Sequence, residues 1–264
     1  MEGLEKNLFT LEGETALVTG ATRGIGRIMA LALAQAGAKV LLAQRDILDA
    51  GLRDEINAHV PQERLSTIYE ADLAKRPSVE TLVSRIEADG HRITILVNSA
   101  GVISRYSCTD FPSDEWDKVL EVNLSSTFIL CRDVARHMLG NEIVRRQRGS
   151  IINVGSIMSF QGGINVSAYA SSKGGLVQLT KSFSNELASK GIRVNTIAPG
   201  YCVTEMNTQL LENKERLKSI SERIPIGRWG DPSDFAGPVV FLASRASSYV
   251  TGEALMVDGG WMGR

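Results

Sequence analysis

The stretch Thr19-Gly20-Ala21-Thr22-Arg23-Gly24-Ile25-Gly26 follows directly on the apolar run Ala16-Leu17-Val18, and a helical pattern runs on from Arg27 to Ala36. This succession decides the fold. A short apolar run that ends in glycines and opens a helix is a strand–turn–helix unit. Glycines at such a turn allow tight bending and let backbone N–H groups approach a pyrophosphate at the helix N-terminus. The spacing is GxxxGxG, not the GxGxxG of the general dinucleotide fingerprint.

Working outward, the same alternation continues along the chain. Lys39-Val40-Leu41-Leu42-Ala43, Ile93-Thr94-Ile95-Leu96-Val97, Ser150-Ile151-Ile152-Asn153-Val154 and Ile192–Ile197 read as further strands. Most are nearly continuous in apolar character, as expected of parallel strands covered on both faces. Helix-length segments lie between them at Pro77–Asp89, Trp116–Leu139 and Ser171–Ser189. The expectation is an α/β fold, a single Rossmann-type doubly wound parallel sheet flanked by helices. No linker, repeat or low-complexity tract divides the chain, so residues 1–264 are expected to form one dinucleotide-binding catalytic domain. The least regular stretch, Pro199 to Pro232, carries a polar helical pattern around Leu210–Ile220. It is expected to be a small substrate lid over the strand C-termini, at about 200–230.

Composition excludes several classes. A chain of 264 residues with 43% hydrophobic and 22% charged residues is ordinary for a globular protein. A net charge of −1 gives no general attraction to nucleic acid or to anionic membrane. The one dense basic cluster, Arg145-Arg146-Gln147-Arg148, reads as a solvated loop between a helix and a strand. Cys108, Cys131 and Cys202 form neither a disulfide framework nor a metal-ligand spacing. His59, His91 and His137 stand alone, and no metal is expected. No apolar run approaches a membrane span, and Met1–Lys6 lacks the apolar stretch of a secretory signal. A cytoplasmic location is expected.

Tyr169-Ala-Ser-Ser-Lys173 places a phenol and an ammonium four residues apart, on one helix face a turn from each other. A free phenol, with its pKa near ~10, is a poor acid or base at neutral pH. A neighbouring ammonium favours the phenolate and brings it towards general acid–base work. With a phosphate-cradling loop on the same chain, the pair points to a nicotinamide oxidoreductase. There is no GxSxG elbow around Ser156, so a serine hydrolase is not supported.

The glycine run, Asn98-Ser99-Ala100-Gly101, Asn123, Ser156, Tyr169-x-x-x-Lys173 and Pro199-Gly200 resemble, in order and spacing, the short-chain dehydrogenase/reductase family. The resemblance extends from about Leu11 onward; Ser99 stands where the family usually has a second asparagine. It implies that Tyr169 exchanges the proton at the substrate oxygen and that Ser156 positions that oxygen. Lys173 would lower the pKa of Tyr169 and bind the nicotinamide ribose, while Asn123 would hold a water linking Lys173 to solvent. It further implies a cofactor lying against Gly20, Thr22, Arg23, Gly24, Ile25 and Gly26. Beyond the glycine loop, Gln44 and Arg45, Asp72 and Leu73, Asn98–Gly101 and Pro199, Gly200, Val203 and Thr204 would complete its site. An acid at the end of the second strand holds a ribose diol, whereas arginine accommodates a 2′-phosphate. Gln44 and Arg45 stand there, with Arg23 as a second cation, so NADP(H) is expected over NAD(H). Asp46 reads as a helix N-cap.

Within the family the chain is most similar to the branch acting on 2-deoxygluconate and 2-keto-3-deoxygluconate. The similarity lies in Ser159-Phe160-Gln161-Gly162-Gly163, Ala198-Pro199-Gly200-Tyr201 and Arg223–Gly230, with Val257-Asp258-Gly259-Gly260-Trp261 at the C-terminal end. Members of that branch commonly use NAD(H), so the arginines are a departure. A sugar acid needs a cation for its carboxylate and polar groups for its hydroxyls; Arg105, Gln161 and Tyr201 are the candidates beside Ser156. Two alternatives stay open. One is a reductase of an acyl-thioester or less polar ketone, with Tyr201, Met206 and Met158 lining an apolar pocket. The other is a non-catalytic NADPH-binding regulatory protein. The resemblance also implies a homotetramer, in which a neighbouring subunit would bury Trp261-Met262.

Overall fold

The computed structural model describes residues 7–144 and 146–264. Seven parallel strands form one sheet in the order β3-β2-β1-β4-β5-β6-β7. They are β1 (Thr15–Thr19), β2 (Lys39–Gln44), β3 (Thr67–Glu70), β4 (Ile95–Asn98), β5 (Gly149–Val154), β6 (Ile192–Pro199) and β7 (Ala254–Val257). The helices are α1 (Gly24–Gln35), α2 (Gly51–Asn57), α3 (Arg76–Glu80), α4 (Leu82–Ala88), α5 (Ser113–Leu120), α6 (Ser126–Leu139) and α7 (Ser167–Leu187). After β6 come α8 (Thr208–Glu212), α9 (Lys214–Ser221) and α10 (Ala236–Ala243).

The apolar strands are continuous in sequence because both faces of the sheet are covered. Ala16 and Val18, Val40 and Leu42, Ile95 and Val97 point into one core, packed against Met29, Leu33, Val239 and Leu242 of α1 and α10. The residues between them, Leu17, Leu41 and Leu96, point into the other, against Ile86 of α4, Leu130 and Val134 of α6, and Leu187 of α7. Period-two alternation sends each neighbour to the opposite layer.

Two strands escaped the sequence pattern. β3 and β7 are four-residue edge strands; Thr67 and Glu70 dilute the first, and Ala-Leu-Met-Val in the second suits a helix equally. The expected helix Pro77–Asp89 divides at Thr81, whose hydroxyl back-bonds to the Pro77 carbonyl at 3.0 Å. The expected Trp116–Leu139 helix contains a π turn at Glu121–Ser125. The polar pattern after β6 is two helices, broken at Asn213, whose Oδ1 accepts from the Arg216 N–H at 3.0 Å. Arg145 and Met1–Lys6 lie outside the described residues. In the rest of the basic run, Arg148 is not simply solvated: it donates to the Asn141 and Lys190 carbonyls. Nor is His137 alone. Its Nε2 accepts from the Ile93 N–H at 2.9 Å, and its Nδ1 lies 2.7 Å from Glu87 Oε1.

In the sheet order, β1 lies between β2 and β4. The chain therefore runs away from β1 on opposite sides, and a crevice opens beyond the carboxyl ends of β1 and β4. The glycine loop follows β1 and Ser99–Gly101 follows β4.

Candidate active site

The loop at the end of β1 is built for close approach. Gly20 has φ +66°, and a Cβ there would lie 2.6 Å from the backbone N and Cα of Ala100. At Gly26 a Cβ would press on the Gly20 carbonyl and come within 2.8 Å of Ser99 Oγ. The Ala100 N–H donates to Thr19 Oγ1 at 3.2 Å, which ties the ends of β1 and β4 together. Gly24, at φ +55°, has only the Thr204 side chain within ordinary contact. No side chain caps α1 after Arg23, so its first-turn N–H groups remain available. This open, side-chain-free helix start fits a pyrophosphate. Asn98 is buried, and its Nδ2 donates to Asn153 Oδ1 at 2.9 Å, so its amide ties β4 to β5.

At the end of β2 the two expected recognition residues separate. Arg45 is exposed and has no hydrogen-bond or ion-pair partner among the described residues. Gln44 is buried and donates from Nε2 to the Asp46 and Asp49 carbonyls at 2.6 and 2.7 Å, so its amide holds the following loop. Asp46 does not cap a helix; it accepts from the Leu48 N–H at 2.9 Å, and α2 begins only at Gly51. Arg23, expected to share a phosphate, pairs with Glu205 after β6 at 2.5 Å. Asp72 accepts from the Ala74 N–H and pairs with Lys75 at 3.4 Å, beside the buried Leu73. Pro199 ends β6 buried, and Gly200 abuts Asp258, while Val203 is exposed.

Asn123, Ser156, Tyr169 and Lys173 come together at the β4 and β5 ends. Ser156 follows β5 and caps a short turn, its Oγ accepting from the Met158 N–H at 3.1 Å. Tyr169 and Lys173 lie on one face of α7, with Lys173 Nζ 5.8 Å from the Tyr169 ring centre. Lys173 is 4% exposed. Its Nζ donates to the Val154 carbonyl at 2.6 Å, and burial pulls its pKa from 10.5 to about 8. The phenol differs from the sequence expectation. Burial raises the Tyr169 pKa above its ordinary value, while the Ser156 hydroxyl and the Arg105 charge pull against that rise. Asn123 is held on three sides. Its Oδ1 accepts from the Val102 N–H at 2.8 Å, and its Nδ2 donates to the Val102 carbonyl and to Ser172 Oγ. Its side chain thus clamps the loop after β4 to α7, from a π turn of the kind often found at functional sites.

Beyond Tyr169, a third cluster packs Ile220, Ile224, Trp229 and Trp261 around Tyr201. The Tyr201 ring lies 5.4 Å from Trp229 and 4.8 Å from Trp261, centre to centre. Trp261 Nε1 donates to Gln161 Oε1 at 2.9 Å, which fixes the expected polar contact. Trp261 is 4% exposed within a single chain, so its own subunit buries it without a neighbour. Arg105 donates to the Met206 carbonyl at 3.5 Å, and its charge acts on both Tyr169 and Tyr201. Arg216 and Arg223 also act on Tyr201. Arg223 opens the Arg223–Gly230 stretch already singled out, whereas Arg216 carried no signal, standing on a helix of mixed charge more than a hundred residues from Arg105. Among the described residues no cluster of His, Cys, Asp and Glu suits a metal ion.

The chain matches the family model described as Enoyl-(Acyl carrier protein) reductase over residues 20–262. It is 48% identical to a 2-dehydro-3-deoxy-D-gluconate 5-dehydrogenase of Pseudoalteromonas atlantica, covering 99% of this chain and 100% of that protein. A Beutenbergia cavernae structure, described as an NAD(P)-dependent gluconate 5-dehydrogenase with NADP bound at low occupancy, is 41% identical with a TM-score of 0.90. The match covers 98% of this chain and 100% of that one. The gluconate 5-dehydrogenase of Burkholderia cenocepacia, solved with NADP and tartrate, is 35% identical with a TM-score of 0.90, covering 97% and 98%.

Proposed function

The chain belongs to the short-chain dehydrogenase/reductase family, and on that premise we propose that it is an NADP-dependent oxidoreductase of sugar acids. The observation that carries the substrate class is Arg105, which reaches from the loop after β4 to the Met206 carbonyl beyond β6 and whose charge acts on Tyr169. A guanidinium beside a proton-transfer site suits a hydroxy or keto acid and not an acyl chain. Relatives named for gluconate and 2-dehydro-3-deoxygluconate, and the tartrate held by one neighbour, support the same class.

The cradle of Gly20, Gly24 and Gly26 would hold the dinucleotide's pyrophosphate, and the exposed Arg45 its 2′-phosphate. When bound, the nicotinamide supplies the hydride acceptor or donor. Ser156 holds the substrate oxygen, and Tyr169 takes a proton from it in oxidation or returns one in reduction. Lys173, buried one turn along α7, lends positive charge beside the phenol as that proton leaves. Asn123 keeps the loop after β4 and α7 in register, so the three reacting side chains stay aligned. Tyr201, fixed between Trp229 and Trp261, and Gln161, fixed by Trp261, bound the substrate on the far side.

The segment at about 200–230 serves as a lid on a single catalytic domain. The enzyme is a cytoplasmic homotetramer; a groove of about 590 Å³ along α6 and α7, floored by Leu124, Phe128 and Gly175, supports pairing of those helices between subunits. No helix among the described residues is long and apolar enough to cross a membrane. A panel of sugar acids, neutral polyols and an acetoacetyl thioester, followed by absorbance of the reduced nicotinamide, tests the reading. Turnover of the acids with NADP supports it; turnover of the thioester alone refutes it.

A further inference from the structure

The sheet order puts β4 and β5 between β1 and β6, so the ends of β1 and β6 lie three strand spacings apart, or about 14 Å. Side chains nevertheless join the segments that follow them. Arg23, in the glycine loop directly before α1, donates from Nη1 to Glu205 Oε2 at 2.5 Å. Beside that pair, the Thr204 side chain lies 3.7 Å from the place a Gly24 Cβ would take. The ion pair therefore spans the mouth of the crevice, next to the cradle that suits a pyrophosphate.

Little apolar packing seats the turn that carries Glu205. Neither the turn, Glu205–Asn207, nor α8 after it contributes a buried residue. On its own side of the crevice the turn is rooted by polar contacts. Asn207 Nδ2 donates to the Cys202 carbonyl at 2.9 Å, and the Val203 N–H to the Gly230 carbonyl at 2.9 Å. Two arginines reach it from the far side. Arg23 comes from the cofactor loop to Glu205, and Arg105 from the loop after β4 to the Met206 carbonyl at 3.5 Å. A segment with so few buried contacts opens at low cost, and an exposed ion pair adds a modest resistance to opening.

We propose that Arg23 and Glu205 form a latch across the cofactor cleft, which parts each time the dinucleotide enters or leaves. Glu205 is then a positioning residue that sets the rate of cofactor exchange. The proposal needs the cofactor cleft but not the sugar-acid reading. A different role for Glu205 would carry the opposite sign. A carboxylate that merely stood beside a pyrophosphate would repel it, so its removal would slow release; removing half of a latch speeds release. Both side chains are exposed, so replacing either leaves the core untouched.

The test measures NADPH release by stopped-flow fluorescence, chasing the bound nucleotide with excess NADP. It compares wild type, Glu205→Gln, Arg23→Gln and the double variant. Glu205→Gln should release NADPH about two- to fivefold faster than wild type, the range of an exposed ion pair. In the Arg23→Gln background the same change should give no acceleration, because the latch is already gone. The gap between wild type and Glu205→Gln should narrow from about 0.05 to about 0.5 M NaCl as the pair is screened. Release that is unchanged or slower in Glu205→Gln overturns the latch and leaves the cofactor reading standing. Equal acceleration in both backgrounds shows Glu205 acting without Arg23 and also overturns it. A wild type that binds no NADPH overturns the cofactor reading and the latch together.

Discussion

Replacing Lys173 with methionine should stabilise the protein at neutral pH while abolishing turnover. The ammonium is 4% exposed, and burial brings its pKa from 10.5 to about 8. The unfolded chain therefore binds that proton more tightly than the native one. Stability contributed at this site is lowest below pH about 8 and rises as pH climbs towards about 10.5. The gap corresponds to about 3 kcal/mol against the folded state at pH about 7. Methionine fills a similar space without charge, but the Val154 carbonyl loses its 2.6 Å donor, at a cost of about 1–2 kcal/mol. The net gain is about 1–2 kcal/mol, or ~2–8 °C in Tm for a chain of this size. Thermal unfolding of both proteins across pH is the assay. The variant should melt higher at pH about 7, and its advantage should vanish near pH about 10, where the wild-type lysine is largely neutral in the fold. A variant that melts lower at neutral pH, or a difference that ignores pH, would refute the claim that Lys173 is held at the expense of stability.

Two further outcomes concern the cofactor cleft. Arg45→Ala should weaken NADP by about ten- to a hundredfold and leave NAD nearly unchanged, since Arg45 is the unpaired cation at the end of β2; equal weakening of both in a fluorescence titration would count against it. Gly26→Ala should cost about 1–3 kcal/mol of stability and most cofactor affinity, because its Cβ meets the Gly20 carbonyl and Ser99 Oγ. A variant with wild-type Tm and affinity would show that the loop is looser than its contacts imply.

What sequence made legible was local. The glycine loop follows its strand within a few residues, and Tyr169 and Lys173 share a helix face by spacing alone, so both stand where the pattern puts them. The buried strands announced themselves because both faces of the sheet are covered; β3 and β7, short and at the edges, did not. What the sequence could not report are contacts made across the fold or within a loop. Arg23 pairs with Glu205 from a segment 182 residues away. Gln44 turns its amide onto its own loop, and Trp261 is sealed by Tyr201, Arg223 and Gln161 of the same chain. The direction of the Tyr169 shift depended on burial, which a spacing of four residues cannot report.

The central claim is that Tyr169 performs proton transfer on a sugar acid beside a dinucleotide held by the glycine loop. Its most direct test is Tyr169→Phe, assayed for oxidation of D-gluconate with NADP and titrated separately for NADP binding. General acid–base transfer contributes about 10²–10⁴-fold, so kcat should fall at least a hundredfold while the NADP dissociation constant stays within about twofold. Turnover within a few-fold of wild type, with binding intact, would contradict the account.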